Sequence, residues 1–170
     1  MSTRSVVSAV TNLCLTSKDG DMFNVSVVIM NINQLVREMT EEAEGDLVIP
    51  LPNVSSKELK KVIEFCEYFH TNPMKNIDKP LKSTNLEECV TKWYSDFINM
   101  PKEDVFNMVM AANYLDNKPL LELSCAKVAT LIKGRTPEEI RNVFEIENDF
   151  SQEEEVRIRE DNKWCNDVAN

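Results

Sequence analysis

The sequence predicts an α+β fold, in which a small three-stranded sheet with helices is followed by a run of helices. Short apolar runs bounded by turn signals occur within the first 52 of the 170 residues, and such runs are typical of strands. From Pro101 onward, apolar residues recur three and four positions apart, and each of four segments has its own start signal. Strands that precede a block of helices are characteristic of the α+β class.

The first two strands are predicted to form a hairpin. Residues 13–16 and residues 22–25 are short alternating runs on either side of the dipeptide Asp19-Gly20. An Asp-Gly pair between two such runs favours a tight turn between antiparallel strands.

The third strand is predicted over residues 47–52. Pro50 and Pro52 cannot donate hydrogen bonds to a ladder, so we expect this strand at an edge of the sheet. Before it, residues 27–39 carry apolar side chains at spacings of three and four, which predicts one helix. Residues 41–46 are predicted to be a charged loop.

A second helix is predicted after Ser55, because Ser55 and Glu58 have the spacing of a capping box. This helix should end near His70, and residues 71–88 should then form a long exposed loop. Its predicted apolar face consists of Leu59, Val62, Ile63, Cys66 and Phe69. A dense apolar cluster follows the loop, formed by Trp93, Tyr94, Phe97 and Ile98.

Each of the last four helices has a recognisable beginning. Pro101 and Pro119 suit the first turn of a helix, where a missing N–H costs little. Gly134 stops the helix that begins near Pro119. Thr136 and Ser151 then cap the last two helices, and each has a glutamate at capping-box spacing.

The net charge restricts the kinds of partner that the protein can bind, and the cysteines indicate the cellular compartment. The 29 acidic and 19 basic residues give a net charge of −10. An acidic surface repels phosphate groups, so neither nucleic acid nor an anionic membrane is expected as a partner. The five cysteines are isolated from one another and no apolar stretch is long enough to span a membrane. We therefore expect reduced thiols in a protein of the cytoplasm and nucleus.

The residues typical of catalysis are nearly absent. His70 is the single histidine, no two cysteines have metal-ligand spacing, and the three glycines stand apart. The sequence thus predicts neither a zinc site, nor a phosphate-binding loop, nor a catalytic triad. We expect no enzyme activity, no metal and no cofactor; a hyper-reactive cysteine would revive the enzyme alternative.

Two surfaces have the composition of protein-binding sites. The helix after Pro101 places Phe106, Val109, Met110, Asn113 and Tyr114 on one face. Periodicity alone leaves open whether this face is core or whether Asn113 and Tyr114 border an exposed patch. The helices after Pro119 carry more apolar side chains than a thin appendage can enclose, and exposed apolar patches are typical of partner sites.

Two motifs are the most specific in the chain, namely Ala-Ala-Asn-Tyr-Leu-Asp at 111–116 and the run Ile-Lys-Gly-Arg-Thr-Pro-Glu-Glu-Ile-Arg at 132–141. They occur together with the stretches 50–54, 59–63, 148–155 and 162–165. In this order and spacing, the motifs resemble the Skp adaptor family, the linker subunit of SCF (Skp–cullin–F-box) ubiquitin ligases.

The resemblance implies a BTB/POZ-type front domain with a C-terminal helical extension. Residues 1–11 are then a flexible N-terminus, residues 12–118 bind a cullin N-terminal domain, and residues 119–170 bind F-box proteins. The cullin-binding positions would be Phe106, Val109, Met110, Asn113 and Tyr114. The F-box-binding positions would be Leu121, Val128, Ile140, Val143, Phe144, Ile146 and Trp164.

The chain also departs from the family pattern. Residues 28–40 are shorter and match poorly, and residues 71–88 contain lysines where familiar members are strongly acidic. An elongin-C-like adaptor for another receptor class is the alternative function, although that group lacks helices after the position of Gly134. The sequence leaves open whether the free protein is a homodimer.

Overall fold

A computed structural model describes residues 10–163 of the chain. The described residues form two compact units, one that ends at Lys133 and one that begins at Gly134. The first contains a sheet and helices, and the second contains helices alone. The predicted α+β class is therefore confirmed. The functional division expected after residue 118 stays a prediction.

The sheet of the first unit contains the predicted hairpin. Strands β1 (Val10–Ser17) and β2 (Met22–Val25) pair in antiparallel fashion, with Leu15 opposite Phe23. Gly20 has a φ of 89° in the turn, a conformation that residues with a Cβ rarely adopt. The Asp-Gly signal thus predicted both the turn and its position.

The third strand lies at a sheet edge, as its prolines predicted. Strand β3 (Gly45–Leu51) pairs with β1 in parallel, and the strand order is β2-β1-β3. Leu15 and Ile49 point into the core, whereas Val48 on the other face of the sheet is 54% exposed. One face of the sheet is therefore packed against helices.

The single helix predicted over residues 27–39 is wrong. The segment forms two helices, α1 (Val27–Met30) and α2 (Gln34–Glu41), which are separated at Asn33. Asn33 is fully buried, and its Nδ2 donates a hydrogen bond to the Met30 carbonyl at 3.0 Å. A side-chain bond back to the preceding turn competes with helix continuation, and periodicity does not register this effect.

Helix α3 (Ser56–Thr71) begins with the predicted capping box. Ser55 accepts a hydrogen bond from the backbone N–H of Glu58, whose side chain in turn accepts from the Ser55 N–H. The buried residues of α3 are Leu59, Val62, Phe65 and Cys66. The predicted face omitted Phe65, while Ile63 and Phe69 are only partly buried against the core.

Helix α4 (Lys92–Ile98) brings the predicted aromatic cluster onto α3. The rings of Tyr68 and Trp93 stack with their centroids 3.7 Å apart. The hydroxyl of Tyr94 donates to the Asn72 carbonyl at 2.6 Å, and burial raises the pKa of Tyr94 to about 12. Stacked aromatic pairs of this kind stabilise the packing by more than the burial of their apolar surface alone.

The long loop between α3 and α4 is less exposed than its composition predicts. Ile77 and Leu86 are buried, and a short 3₁₀ turn (Leu86–Glu88) precedes α4. The charged residues around these two anchors remain exposed.

Helices α5 (Lys102–Tyr114) and α6 (Lys118–Ile132) complete the first unit. Pro101 is the residue before α5, one position earlier than predicted, and Asn117 caps α6 by accepting from the Leu120 N–H at 3.1 Å. The buried residues of α5 are Val105, Met108, Ala111 and Ala112.

A buried polar cluster joins α3, α6 and the α1–α2 corner. The side-chain amide of Asn117 donates to Asn33 Oδ1 at 2.9 Å, and the amides of both asparagines approach Cys66 Sγ, at 3.4 Å from Asn33 and 3.6 Å from Asn117. Burial raises the pKa of the Cys66 thiol to about 11, so this thiol is neutral at physiological pH. Every polar atom of the cluster that is described has a partner, which is the condition for a buried polar group to be tolerated.

The second unit contains α7 (Pro137–Phe144) and α8 (Gln152–Asp161). Both predicted capping boxes are present, with Thr136 before α7 and Ser151 before α8. Between Gly134 and residue 163, no residue reaches the buried class. Both helices therefore have capped N-termini, but none of their described residues is buried.

Two further properties concern the described residues of both units. The described cysteines, Cys14, Cys66, Cys89 and Cys125, all carry free thiols. None of the helices in residues 10–163 combines the length and the apolar character that a membrane crossing requires.

We predict that Asn117→Ala lowers the free energy of unfolding by about 2–4 kcal/mol, because it removes a helix cap and leaves buried polar groups of the cluster without a partner. Urea denaturation monitored by circular dichroism measures the change. Asn85→Ala is the matched control, since Asn85 caps the exposed 3₁₀ turn and should cost no more than about 1 kcal/mol. Equal losses in the two variants would contradict the role of the cluster.

Candidate protein-interaction surfaces

The first surface is the outer face of α5, the α5 face, formed by Phe106, Val109, Met110, Asn113 and Tyr114. Met110 is 66% exposed, Phe106 is 38% exposed, and Asn113 is also exposed. Val109 and Tyr114 are partly buried, with Tyr114 packed against the core. The buried side of α5 is formed by other residues, and Phe106, Met110 and Asn113 are accessible, so this face is not wholly core.

The position of α5 is fixed from its N-terminal end. Asp104 forms an ion pair with Lys57 of α3, and Glu103 and Asp104 lie in the first turn, where the helix dipole favours acidic side chains. A shallow depression beside Met110 is bordered by Asn53 and Asn107. The α5 face is therefore a rigid surface with an apolar centre and a polar margin, which is the usual anatomy of a protein interface.

Helix α6 in the first unit carries two of the predicted F-box positions, Leu121 and Val128. Leu121 and Val128 are both partly buried, and Ile132 at the helix end is 41% exposed. The buried side of α6 is formed by Leu120, Leu123, Ser124 and Ala126. Leu121 and Val128 therefore lie away from the centre of the core, on the part of the helix that a partner can reach.

The other predicted F-box positions lie in the second unit. Ile140, Val143 and Phe144 of α7 are partly buried, and Ile146 is 56% exposed. Trp164 lies outside the described residues. The structure adds exposed apolar side chains that the prediction did not include, namely Phe150, Val156 and Ile158. Their mixed polar surroundings in the sequence gave no periodic signal that could have identified them.

Polar contacts, rather than an apolar core, connect the two helices of the second unit. Arg141 of α7 pairs with Glu155 of α8 at 3.4 Å, and its guanidinium lies 5.9 Å from the Phe150 ring centroid. Arg159 of α8 pairs with Glu138 of α7 at 3.4 Å. The Arg159–Glu138 pair is exposed, and pairs of this kind contribute at most about 1 kcal/mol, whereas Arg141 and Glu155 are partly buried. The arrangement orients the helices and leaves their apolar side chains accessible.

The helix cap formed by Ser151 also affects the pKa of a neighbouring carboxylate. The backbone N–H and the hydroxyl of Ser151 hold the pKa of Glu154 below its usual value, because both donate hydrogen bonds to the carboxylate. The carboxylate therefore stays ionised at neutral pH and completes the α8 capping box.

The described residues contain no cluster of three or more histidine, cysteine, aspartate and glutamate side chains that could hold a metal ion. His70 is exposed on α3, and the one strongly shifted thiol, Cys66, is buried and neutral. The expectations of no enzyme activity, no metal and no cofactor stay predictions. What the geometry offers is accessible apolar side chains on α5 and on the outer side of α6 in the first unit, and on α7, α8 and the residues between them in the second unit.

Comparison with known proteins identifies the family. Residues 11–71 match the family model described as Skp1 family, tetramerisation domain, and residues 118–165 match the model described as Skp1 family, dimerisation domain. The first match confirms the predicted POZ-type front domain.

Similar proteins align over nearly the whole chain. The S-phase kinase-associated protein 1 homolog of Tetrahymena thermophila is 42% identical over 160 residues, which are 94% of this chain and 96% of that protein. The SCF ubiquitin ligase complex protein SKP1b of Dictyostelium discoideum is 40% identical over 90% of this chain and 94% of that protein. The E3 ubiquitin ligase complex SCF subunit sconC of Arthroderma otae is 38% identical over 94% of this chain and 98% of its own length. Identity at this level and coverage confirms the resemblance seen in the sequence motifs, and the chain belongs to the Skp1 family.

Proposed function

We propose that this chain is the adaptor subunit of an SCF-type ubiquitin ligase, which links a cullin scaffold to an F-box substrate receptor. Two of the similar proteins are described as a protein or a subunit of SCF ubiquitin ligase complexes. The elongin-C-like alternative is not favoured, because α7 and α8 follow Gly134 and the second family model extends over them.

The observation that most strongly supports binding of an F-box receptor is the exposure of apolar side chains in the second unit. Its helices have complete caps, yet none of its described residues is buried, and Ile146, Phe150 and Val156 are about half exposed. Fully burying an aliphatic or aromatic side chain stabilises by roughly 1.5–3 kcal/mol. Helices from a receptor that cover these side chains would gain this energy and complete a shared core.

The α5 face supports the cullin role. Its exposed residues Phe106, Met110 and Asn113 combine an aromatic ring, a flexible thioether and a side-chain amide. Aromatic anchors with a polar neighbour are common at energetically important interface positions. Because α5 is fixed by the core on its other side, little conformational entropy is lost when a cullin helix docks on it.

The chemical contribution of such an adaptor is proximity. An F-box receptor holds the substrate and a cullin holds the ubiquitin-transfer machinery, so a protein that binds both raises the effective concentration of one near the other. We propose that the chain itself is not an enzyme and that it acts in the cytoplasm and nucleus.

We propose in addition that, when no F-box receptor is present, a second copy of this chain covers the apolar side chains that would bind the receptor. The same exposed apolar side chains that would contact a receptor would then meet in a homodimer, since exposed apolar patches favour association. Receptor binding and self-association would compete for this surface.

We predict that Met110→Lys combined with Asn113→Lys lowers the affinity for a cullin N-terminal domain by about ten-fold or more, because the first change places charge in the apolar centre of the α5 face and the second replaces a polar contact beside it. Isothermal titration calorimetry with the purified cullin domain measures the change, and F-box binding should be retained.

The matched control for this experiment is Met22→Lys combined with Asn24→Lys. Met22 is 65% exposed on the sheet, almost the same fraction as Met110, Asn24 is also exposed, and the two substitutions add the same charge as the tested pair. Cullin affinity that falls equally in both proteins, or in neither, would refute the assignment of the α5 face.

We predict that Ile146→Lys lowers the affinity for an F-box domain by about ten-fold or more and leaves cullin binding intact, because it removes an apolar contact of the second unit and buries a charge. Surface plasmon resonance with an immobilised F-box domain measures the change. Val48→Lys, at an equally exposed aliphatic residue of β3, should bind normally. Unchanged F-box affinity in Ile146→Lys would contradict the receptor role of this unit.

A further inference from the structure

An apolar groove lies in the first unit between α6 and residues 77–81, a segment named here the strap. The groove has a volume of about 520 Å³. The strap contributes Ile77, Pro80 and Leu81 to its lining. The α6 side contributes Leu121 and the small residues Cys125, Ala126 and Ala129. Small side chains along one wall leave room for an apolar side chain of a partner.

The strap is held in place at several points, so the groove exists before any partner binds. Ile77 is buried in the core. Lys79 Nζ lies 2.6 Å from Glu122 Oε1 of α6, and Lys133 Nζ donates to the carbonyl of Leu81. A preformed groove binds a partner at a lower entropic cost than one that must be ordered first.

The residues that line the groove carry no net charge on a protein whose net charge is −10, because Lys79 and Lys118 balance Asp78 and Glu122. Both carboxylates in the lining are paired with lysine, Asp78 with Lys82 at 2.8 Å and Glu122 with Lys79. Lys118 forms no ion pair within residues 10–163. Lys82 and Lys133 lie beside the lining, against Asp78 and the Leu81 carbonyl, so the lining and these two neighbours together have two more lysines than carboxylates. Complementary charge therefore favours an acidic partner at this place.

We propose that the groove binds an acidic segment of the F-box receptor, with one apolar side chain of that segment inserted against Cys125 and Ala129. The proposal rests on the proposed function. Leu121 belongs both to the groove and to the predicted F-box positions, so a receptor bound on α6 would bring a flanking segment directly to the groove.

The groove would act as a specificity element among receptors. Receptors with acidic residues beside the α6 contact gain the attraction of Lys118 and Lys133, and receptors with basic residues there are disfavoured. Exposed ion pairs discriminate by a few-fold each, which suits a choice among receptors that share the same main contact. Lys79 and Lys82, in a segment where familiar members are strongly acidic, pair with Glu122 and Asp78 and so leave the charge of Lys118 and Lys133 uncompensated.

The first test is a charge reversal with a matched control. Lys118 and Lys92 are the first residues of α6 and α4, and both are exposed. Glutamate is favoured at this position by the helix dipole, so neither Lys118→Glu nor Lys92→Glu should harm the fold. The probe is the purified F-box domain, with its flanking segments, of a receptor that co-purifies with the full-length chain and has an acidic flank.

Lys118→Glu is expected to weaken binding of this probe by about three-fold at low salt, and the difference should shrink as the ionic strength rises. Lys92→Glu should bind as the unchanged chain does. Identical affinities for the two variants would overturn the proposal.

The second test locates the bound segment. A carbodiimide joins a lysine amine to a carboxylate in direct contact with it, so treatment of the intact complex should couple Lys118, which is exposed at the groove, to an acidic residue of the bound receptor segment. Mass spectrometry of the complex should find a receptor peptide with net negative charge. A crosslink to a neutral or basic receptor peptide, to this chain's own residues or to a second copy, or no crosslink in an intact complex, would overturn the proposal. Failure of every F-box domain to bind the unchanged chain would instead contradict the proposed function.

Discussion

Apolar side chains stabilise a fold only where enough neighbours enclose them. In the first unit the inner face of the sheet and α3 to α6 provide that enclosure, and residues such as Leu15, Phe65 and Leu120 are fully buried. In the second unit the helices are equally well capped, but their apolar residues have no such enclosure among the described residues. This difference in burial is the constraint from which the proposed function follows, because the apolar surface of the second unit gains its full stabilisation only against another protein.

In the first unit, the buried cluster of Asn33, Cys66 and Asn117 fixes how the helices are arranged. It joins the α1–α2 corner, α3 and the start of α6 through hydrogen bonds that an apolar core would not specify. Buried polar groups that are fully paired favour one arrangement over its alternatives, since any displacement leaves a donor or acceptor unpaired. The cluster thereby fixes where α6 begins, and α6 presents both Leu121 and one wall of the groove.

The sequence predicted most of this fold because its signals were local. Asp19-Gly20 specified the hairpin, and the pairs Ser55–Glu58, Thr136–Glu139 and Ser151–Glu154 each specified a helix start that the structure reproduces. The division of residues 27–39 into two helices was missed because helical spacing records apolar positions and not the side-chain hydrogen bonds of Asn33. Asn33 bonds to the Met30 carbonyl and also to Asn117 and Cys66, which are far away in sequence, and no pattern within the segment reports these bonds.

The interaction surfaces were predictable to a similar extent. Helical spacing placed the five α5 residues on one face, but spacing could not distinguish core from surface, and only the burial of Ala111 and Ala112 on the other side resolves this. The family motifs indicated which partners to expect for each surface. The groove beside α6 could not be predicted, because it depends on where an irregular segment of residues 71–88 packs, and loop composition alone indicates only exposure.

Hydrogen exchange of the backbone amides tests the central claim most directly, because it reports the protection of each helix separately. In the free chain, we expect amides of α7 and α8 to exchange at least about ten-fold faster than those of α3, since no described residue of the second unit is buried. On addition of an F-box domain, exchange in α7 and α8 should slow to a rate near that of α3, while α3 itself changes little. Strong protection of α7 and α8 in the free monomer, or no change when the F-box domain binds, would contradict the account.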